Sequence, residues 1–362
     1  MRFLTLAIVA LAGAASLPAS AACTVDKASY GQLSTGQAVD AWTIKSARMN
    51  VTVLSLGGIL KDIEVPDRDG RMGDVIRNLN GIAAYEGRAN FSSLVGRYAN
   101  RISGGGFTLD GRRIDLDKPD VVVSHGGAKG FGTRIWTVTP AKCGVDLSLV
   151  SPDGDNGFPG EVHVTVRYRV TASRLTLDYS ATTTKPTVVT LTHHAYFNLS
   201  GQDNVYDQTL QINAGKYLVT DARRVPTGEI LPLDGTPMDV RKARPIRDVV
   251  TATHPSIIAA KGLDHTFVLS GKGLKTAAIV SDAASGRKLT VSTTEPGLVV
   301  YTAGGFNGSL IGADGRPLTA GTGIALEAQH FPDSPNHADF PSTELKPGQT
   351  LHATTVFAFS AK

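Results

Sequence analysis

Residues 161–170, EVHVTVRYRV, alternate apolar Val162, Val164, Val166, Tyr168 and Val170 with polar His163, Thr165, Arg167 and Arg169. An apolar period of two describes a strand with one buried face and is incompatible with a helical stripe. The pattern recurs along the chain. RLTLDYSATT places Leu175, Leu177 and Tyr179 on one face, and FTLDGRRIDL reads as a hairpin around Asp110-Gly111. AAIVSDAASGRKLTVST reads as a second hairpin turning at DAASG, and ATTVFAFS closes the chain as a strand. The 39 glycines and 18 prolines supply the turns that many short strands require. No long segment carries helical spacing; short helical turns are expected only near residues 82–88. Without repeats, low-complexity linkers or composition shifts, the expectation is one all-β domain over 22–362, a large antiparallel β-sandwich.

The N-terminus is set apart from this fold. MRFLTLAIVALAGAASLPASA has one positive charge at Arg2, an apolar run and the small-residue ending Ala19-Ser20-Ala21. These are the parts of an export signal, so residues 1–21 are expected to be removed and the mature chain to begin at Ala22. The apolar run is shorter than the roughly 20 residues that span a bilayer, and no later segment is long and apolar enough to span one. The protein is therefore expected to be exported, periplasmic or secreted, with no membrane association once the signal is gone. Cys23 beside the cut also admits a lipid anchor, although SAA lacks the usual Leu. An oxidising compartment makes a Cys23–Cys143 disulfide plausible; two free thiols are the alternative. After removal of Arg2, 35 basic residues are spread among 32 acidic ones, with no stripe suited to nucleic acid.

Several segments interrupt the alternation with clustered polar groups. GRYANRISGG carries Arg97, Asn100 and Arg101; VVVSHGGAKGFG carries His125 between a valine run and two glycines; GLDHTFVL carries Asp264 and His265 at the start of a strand. LTHHAYFNLSG places His193 and His194 side by side. Successive strand residues face opposite ways, so His194, Tyr196 and Asn198 share one face, and His193, Ala195 and Phe197 the other. IALEAQHFPDSPNHADFPS sets Glu327 and Gln329 in an otherwise apolar strand. Burying an unpaired carboxylate is costly and raises its pKa, which suits acid–base work near neutral pH; an edge-strand Glu facing solvent is the competing reading. There is no nucleophile elbow, P-loop, dinucleotide fingerprint or C-x-x-C, and no spacing that suggests a metal site.

In order, GRYANRI, SHGG, THHAYFNLSG, GLDHTF and LEAQHFPDSPN…FPSTELKPGQ resemble the motifs of the aldose 1-epimerases, the galactose mutarotases, over nearly the whole chain from Tyr30 to Phe359. The resemblance implies a mutarotase-like supersandwich and a free aldohexose such as galactose or glucose as a small-molecule substrate. It implies neither metal nor organic cofactor. By the same resemblance Glu327 is the general base at the C1 hydroxyl and His194 the general acid at the ring oxygen. His125, Asn100, Arg101 and Asp264 bind the sugar. His193 departs from the family, which often has Asn there, and is read as structural. Two further readings are an exported sugar-binding module and a glycosidase or lyase on the same fold. A typical glycosidase needs two opposed carboxylates, and a binding module needs no matched acid and base.

Overall fold

The computed structural model describes residues 23–88, 90–117 and 121–362. The expected export signal and its cleavage point before Ala22 lie outside the described residues. Strand makes up 49 % of the described residues and helix 7 %, so the class is all-β. Among the described residues the α-helices are two short ones, Ile246–Val250 and Pro255–Ala260, and a single 3-10 turn, Ile82–Ala84, stands where short helical turns were expected.

Local sequence explains the individual elements. The strand Val162–Thr171 buries its apolar face, Val162, Val164, Val166, Tyr168 and Val170, as the alternation predicts. The strands Gly106–Leu109 and Arg112–Asp115 pair around Asp110 (φ 47°) and Gly111 (φ 74°). Two successive left-handed residues are what a two-residue hairpin turn requires, and Asp-Gly adopts them at low cost. The strands Lys275–Ser281 and Arg287–Thr293 form the second expected hairpin.

Three antiparallel sheets organise the molecule. The N-terminal part of the described chain forms a five-stranded meander from Thr24–Gln32 through Ala38–Lys45, Asn50–Leu54 and Leu60–Pro66 to Met72–Asp74. A nine-stranded sheet has Val162–Thr171, Arg174–Thr183 and the C-terminal strand Leu351–Ala361 near its centre. A six-stranded sheet runs in the order Tyr196–Phe197, Ile324–Gln329, Gly297–Tyr301, Asp264–Leu269, Ala214–Thr220, Pro226–Pro232. The largest apolar cluster draws Val51 and Ile63 from the meander, Val164, Tyr168 and Leu177 from the nine-stranded sheet, and Phe197, Leu326, Val300 and Phe267 from the six-stranded sheet. One face of the six-stranded sheet is thus committed to the sandwich core, and its opposite face is left to carry the site.

Cys23 and Cys143 form a disulfide with 5.4 Å between Cα atoms and 120 residues between them. It joins the start of the first strand to the turn between Thr137–Ala141 and Gly144–Ser151. In the chain-entropy account, closing a loop of that length stabilises by about 5 kcal/mol, and measured native disulfides contribute about 2–5 kcal/mol. Reduction, or Cys23→Ser with Cys143→Ser, is therefore expected to lower the urea midpoint clearly; coincident oxidised and reduced unfolding curves would contradict this.

Candidate active site

The register of the six-stranded sheet sets the base of a cavity. Tyr196 is opposite Ala325, Ala325 opposite Tyr301, and Tyr301 opposite Asp264. Residues directly opposite in antiparallel pairing share a face, so this row lies on the side away from the sandwich core. Glu327 is two residues beyond Ala325 and projects from the same face. All six residues of Ile324–Gln329 are buried, and the strand is flanked on both sides. The edge-strand reading of Glu327 is therefore excluded.

A short ribbon supplies a second wall. Arg101–Ile102 pairs with Val123–Ser124, setting Arg101 opposite Ser124, and His125 follows directly. Asn100 (φ 64°) and His125 (φ 51°) are both left-handed. The His125 N–H donates to the Asn100 carbonyl at 2.8 Å, and the Asn100 N–H donates to His125 Nδ1 at 3.4 Å. With Nδ1 accepting, the neutral ring carries its proton on Nε2. The glycine after His125 has φ 82°, and a Cβ there would collide with the Gly96 carbonyl, so SHGG tolerates only glycine at Gly126. The C-terminal motif anchors this wall. The Asp333 N–H donates to the Arg101 carbonyl at 2.8 Å, and Asp333 Oδ1 accepts from the Ser103 N–H at 2.9 Å.

The cavity has a volume of about 520 Å³, within the range of small-ligand sites, and it gathers Asn100, Arg101, His125, His194, Asp264 and Glu327. All six residues expected to act on or bind the sugar therefore converge. His194 and Glu327 are 3 % and 1 % exposed, and His194 Nε2 lies 3.4 Å from Glu327 Oε1. His194 Nδ1 and Glu327 Oε2 have no hydrogen-bond partner among the described residues. Burial, reinforced by the Asp264 charge, pushes the Glu327 carboxyl well above its usual range, with Arg101 opposing. Burial pulls the His194 imidazole down to about 4, and burial together with His194 and Arg101 holds His125 well below its usual value. The His125 and His194 rings meet edge to face at 5.5 Å. Asp264 Oδ2 accepts from Arg101 Nη2 at 3.3 Å and from Arg224 Nη1 at 3.0 Å, and Arg101 Nη1 donates to Asn100 Oδ1 at 3.1 Å.

Aromatic rings form the remaining wall. Phe91 stacks on Phe306 with centroids 5.9 Å apart, and Tyr196 lies 5.1 Å from both. Tyr301 is edge-on to His194, and its hydroxyl accepts from the Gly305 N–H at 2.8 Å. Sequence reasoning missed Arg224, Tyr301, Phe91 and Phe306. Only strand register could have indicated Tyr301, and Arg224 sits in a turn, DARRVP, whose sequence signals a turn and nothing more.

Other polar groups from the same motifs are structural. Arg97 is buried and donates to the carbonyls of Ser151, Pro152, Phe158, Pro159 and Gly160. His193 points away from the cavity, with Nε2 3.3 Å from the Gly58 carbonyl and its ring edge-on to Tyr168. Asn198 corrects the expectation that it faces the cleft with His194 and Tyr196. Its amide donates to the Gln202 and Thr322 carbonyls, and its Oδ1 accepts from Ser200 and Gln208. The strand Tyr196–Phe197 ends before it, so the alternation no longer applies. His265 faces the core, with Nδ1 accepting from the Asp264 N–H at 3.1 Å. Among the described residues no group of three or more His, Cys, Asp or Glu is arranged to hold a metal ion, and no helix is long and apolar enough to cross a membrane.

Comparison with known proteins gives the family of the chain. The aldose 1-epimerase family matches residues 40–358. Galactose mutarotase of Bos taurus is 39 % identical over 345 residues, 93 % of this chain and 99 % of the bovine protein. Aldose 1-epimerase of Escherichia coli K12 is 36 % identical over 326 residues, 88 % and 94 % of the two chains. The crystal structure of galactose 1-epimerase from Lactobacillus acidophilus NCFM superposes with a TM-score of 0.83 at 28 % identity, covering 93 % of this chain and 99 % of that one. The chain belongs to the aldose 1-epimerase family.

Proposed function

We propose that the protein is an exported aldose 1-epimerase that interconverts the α and β anomers of free aldohexoses such as galactose and glucose. The observation that carries the reading is the buried Glu327–His194 pair, 3.4 Å apart at the base of a polar cavity. Ring opening removes a proton from the C1 hydroxyl and delivers one to the neighbouring ring oxygen, so it needs one base and one acid on adjacent atoms. Glu327 Oε2, without a partner among the described residues, accepts the C1 hydroxyl proton. His194 gives a proton to the ring oxygen, the bond from C1 to that oxygen breaks, and an open-chain aldehyde forms. Rotation about C1–C2 presents the other face, and closure returns both protons. Burial disfavours the charged form of both groups, raising Glu327 and lowering His194. The donor from the C1 hydroxyl favours the form with Glu327 ionised and His194 protonated.

His125 presents an Nε2–H suited to a sugar oxygen, and Arg101, Asn100 and Asp264 bind hydroxyls, which both donate and accept. The glycosidase alternative requires a second carboxylic acid free to give a proton. Asp264 is engaged by two guanidiniums, so it fits binding instead. Export is supported by the signal-like residues 1–21 and by the disulfide. The disulfide also occupies the Cys23 sulfur that a lipid anchor would need, which favours release. The test is polarimetry of freshly dissolved α-glucose or α-galactose. Relaxation of the optical rotation should accelerate in proportion to added protein; an unchanged rate on several free aldoses would refute the reading.

A further inference from the structure

Three guanidiniums, Arg88, Arg101 and Arg224, line the cavity with two carboxyls, Asp264 and Glu327. The guanidiniums outnumber the carboxyls whatever the protonation of Glu327, so positive charge is in excess in the cavity. Asp264 Oδ2 already serves both Arg101 and Arg224. The Arg224 Nε and Nη2 donate no hydrogen bond among the described residues, and its side chain is 41 % exposed. Asp264, its side chain 8 % exposed, keeps the Arg101 guanidinium when the exposed Arg224 turns to an incoming anion. Among the described residues Arg88 donates through Nε alone, to the Ala84 carbonyl.

Position gives this charge a meaning. Asp264 and Glu327 stand on strands separated by Gly297–Tyr301. Two strand spacings combined with a two-residue offset along the strand set their backbones roughly 12 Å apart, and side chains projecting inward from both ends leave room for a hexopyranose between them. A sugar with C1 at Glu327 therefore directs its far end to Arg224. Neutral hydroxyls need no second, half-free guanidinium there, whereas a carboxylate is matched by the planar fork of arginine.

We propose that the cavity takes aldoses with an acidic group at the end remote from C1, hexuronates foremost, and that Arg224 is the residue that selects for them. The inference rests on the mutarotase reading and deepens its substrate class. The reaction is unchanged: the acidic group takes no part in ring opening and is held by Arg224.

The test is anomeric exchange at equilibrium by proton NMR, with galactose, galacturonate and galactose 6-phosphate as probes for the full-length mature protein. The expected result is kcat/KM for galacturonate at or above that for galactose, with the advantage falling as salt is raised. Arg224→Gln should lower the galacturonate-to-galactose ratio by about 10-fold or more, and Arg224→Lys should restore part of it. Thermal unfolding of both variants separates a lost contact from a lost fold. Turnover of galactose without galacturonate, or an unchanged ratio in Arg224→Gln, would overturn the inference and leave the mutarotase reading intact. Acceleration of galactose 6-phosphate alone would overturn the assignment to uronates. If no probe, galactose included, is turned over, the inference falls with the reading beneath it.

Discussion

Glu327→Gln is expected to lower kcat about 1,000-fold while galactose still binds. Proton transfer by a positioned group contributes roughly 10²–10⁴-fold, and an amide of the same shape cannot accept the C1 hydroxyl proton. The substitution is gentle structurally. Burial already favours the uncharged carboxyl, and Gln fits the same all-buried strand. Sugar contacts to Asp264, Arg101 and His125 stay in place, so KM or a calorimetric dissociation constant should change little. Polarimetry with titration calorimetry on the same sample reads both quantities. Retention of more than about a tenth of the turnover would remove Glu327 from the role of base.

His194→Ala is the second large effect, a fall in kcat of about 10²–10⁴-fold for loss of the proton donor to the ring oxygen. Truncation also opens a gap beside Tyr196, 4.9 Å away ring to ring, so stability must be followed in parallel. His193→Asn is the matched control. It removes the contact to Gly58 and the packing on Tyr168, and it should cost stability with kcat preserved. Equal losses of kcat in the two variants would argue against an acid role specific to His194. The pH profile adds a second readout. The Glu327–His194 pair works with one proton. Below about 4 the imidazole takes up a second proton, Glu327 can no longer exchange one, and kcat/KM should fall as pH drops through that value. The alkaline limit, where the pair loses its remaining proton, should be raised by the burial of Glu327. These limits belong to the coupled pair. An acid limb near the ordinary histidine value would contradict the buried-pair account.

Whatever depends on local period was legible in the sequence. The strands at 162–171 and 174–183, the Asp-Gly hairpin and the turn at DAASG follow from alternation and turn chemistry, because side-chain direction in a strand is set by the backbone itself. The same rule separated His194 from its neighbour His193. It failed at Asn198, where the strand stops and a side chain is captured by the Gln202 and Thr322 carbonyls. Arg97 looked like its neighbours Asn100 and Arg101, yet it is used to satisfy five loop carbonyls; burial is a property of the fold and leaves no mark on a short motif.

By itself, the sequence determined the all-β class, the candidate acid and base, and the residue types needed to hold a sugar. Only the tertiary structure decided that Asn100, Arg101, His125, His194, Asp264 and Glu327 share one cavity, since that depends on strand order and register among segments more than 200 residues apart. It also decided that Cys23 reaches Cys143, that Tyr301 stands in the row between Ala325 and Asp264, and that Arg224 shares a carboxylate with Arg101. Pairing between distant strands is fixed by the packing of whole faces, a sum over many side chains that no single stretch of sequence carries.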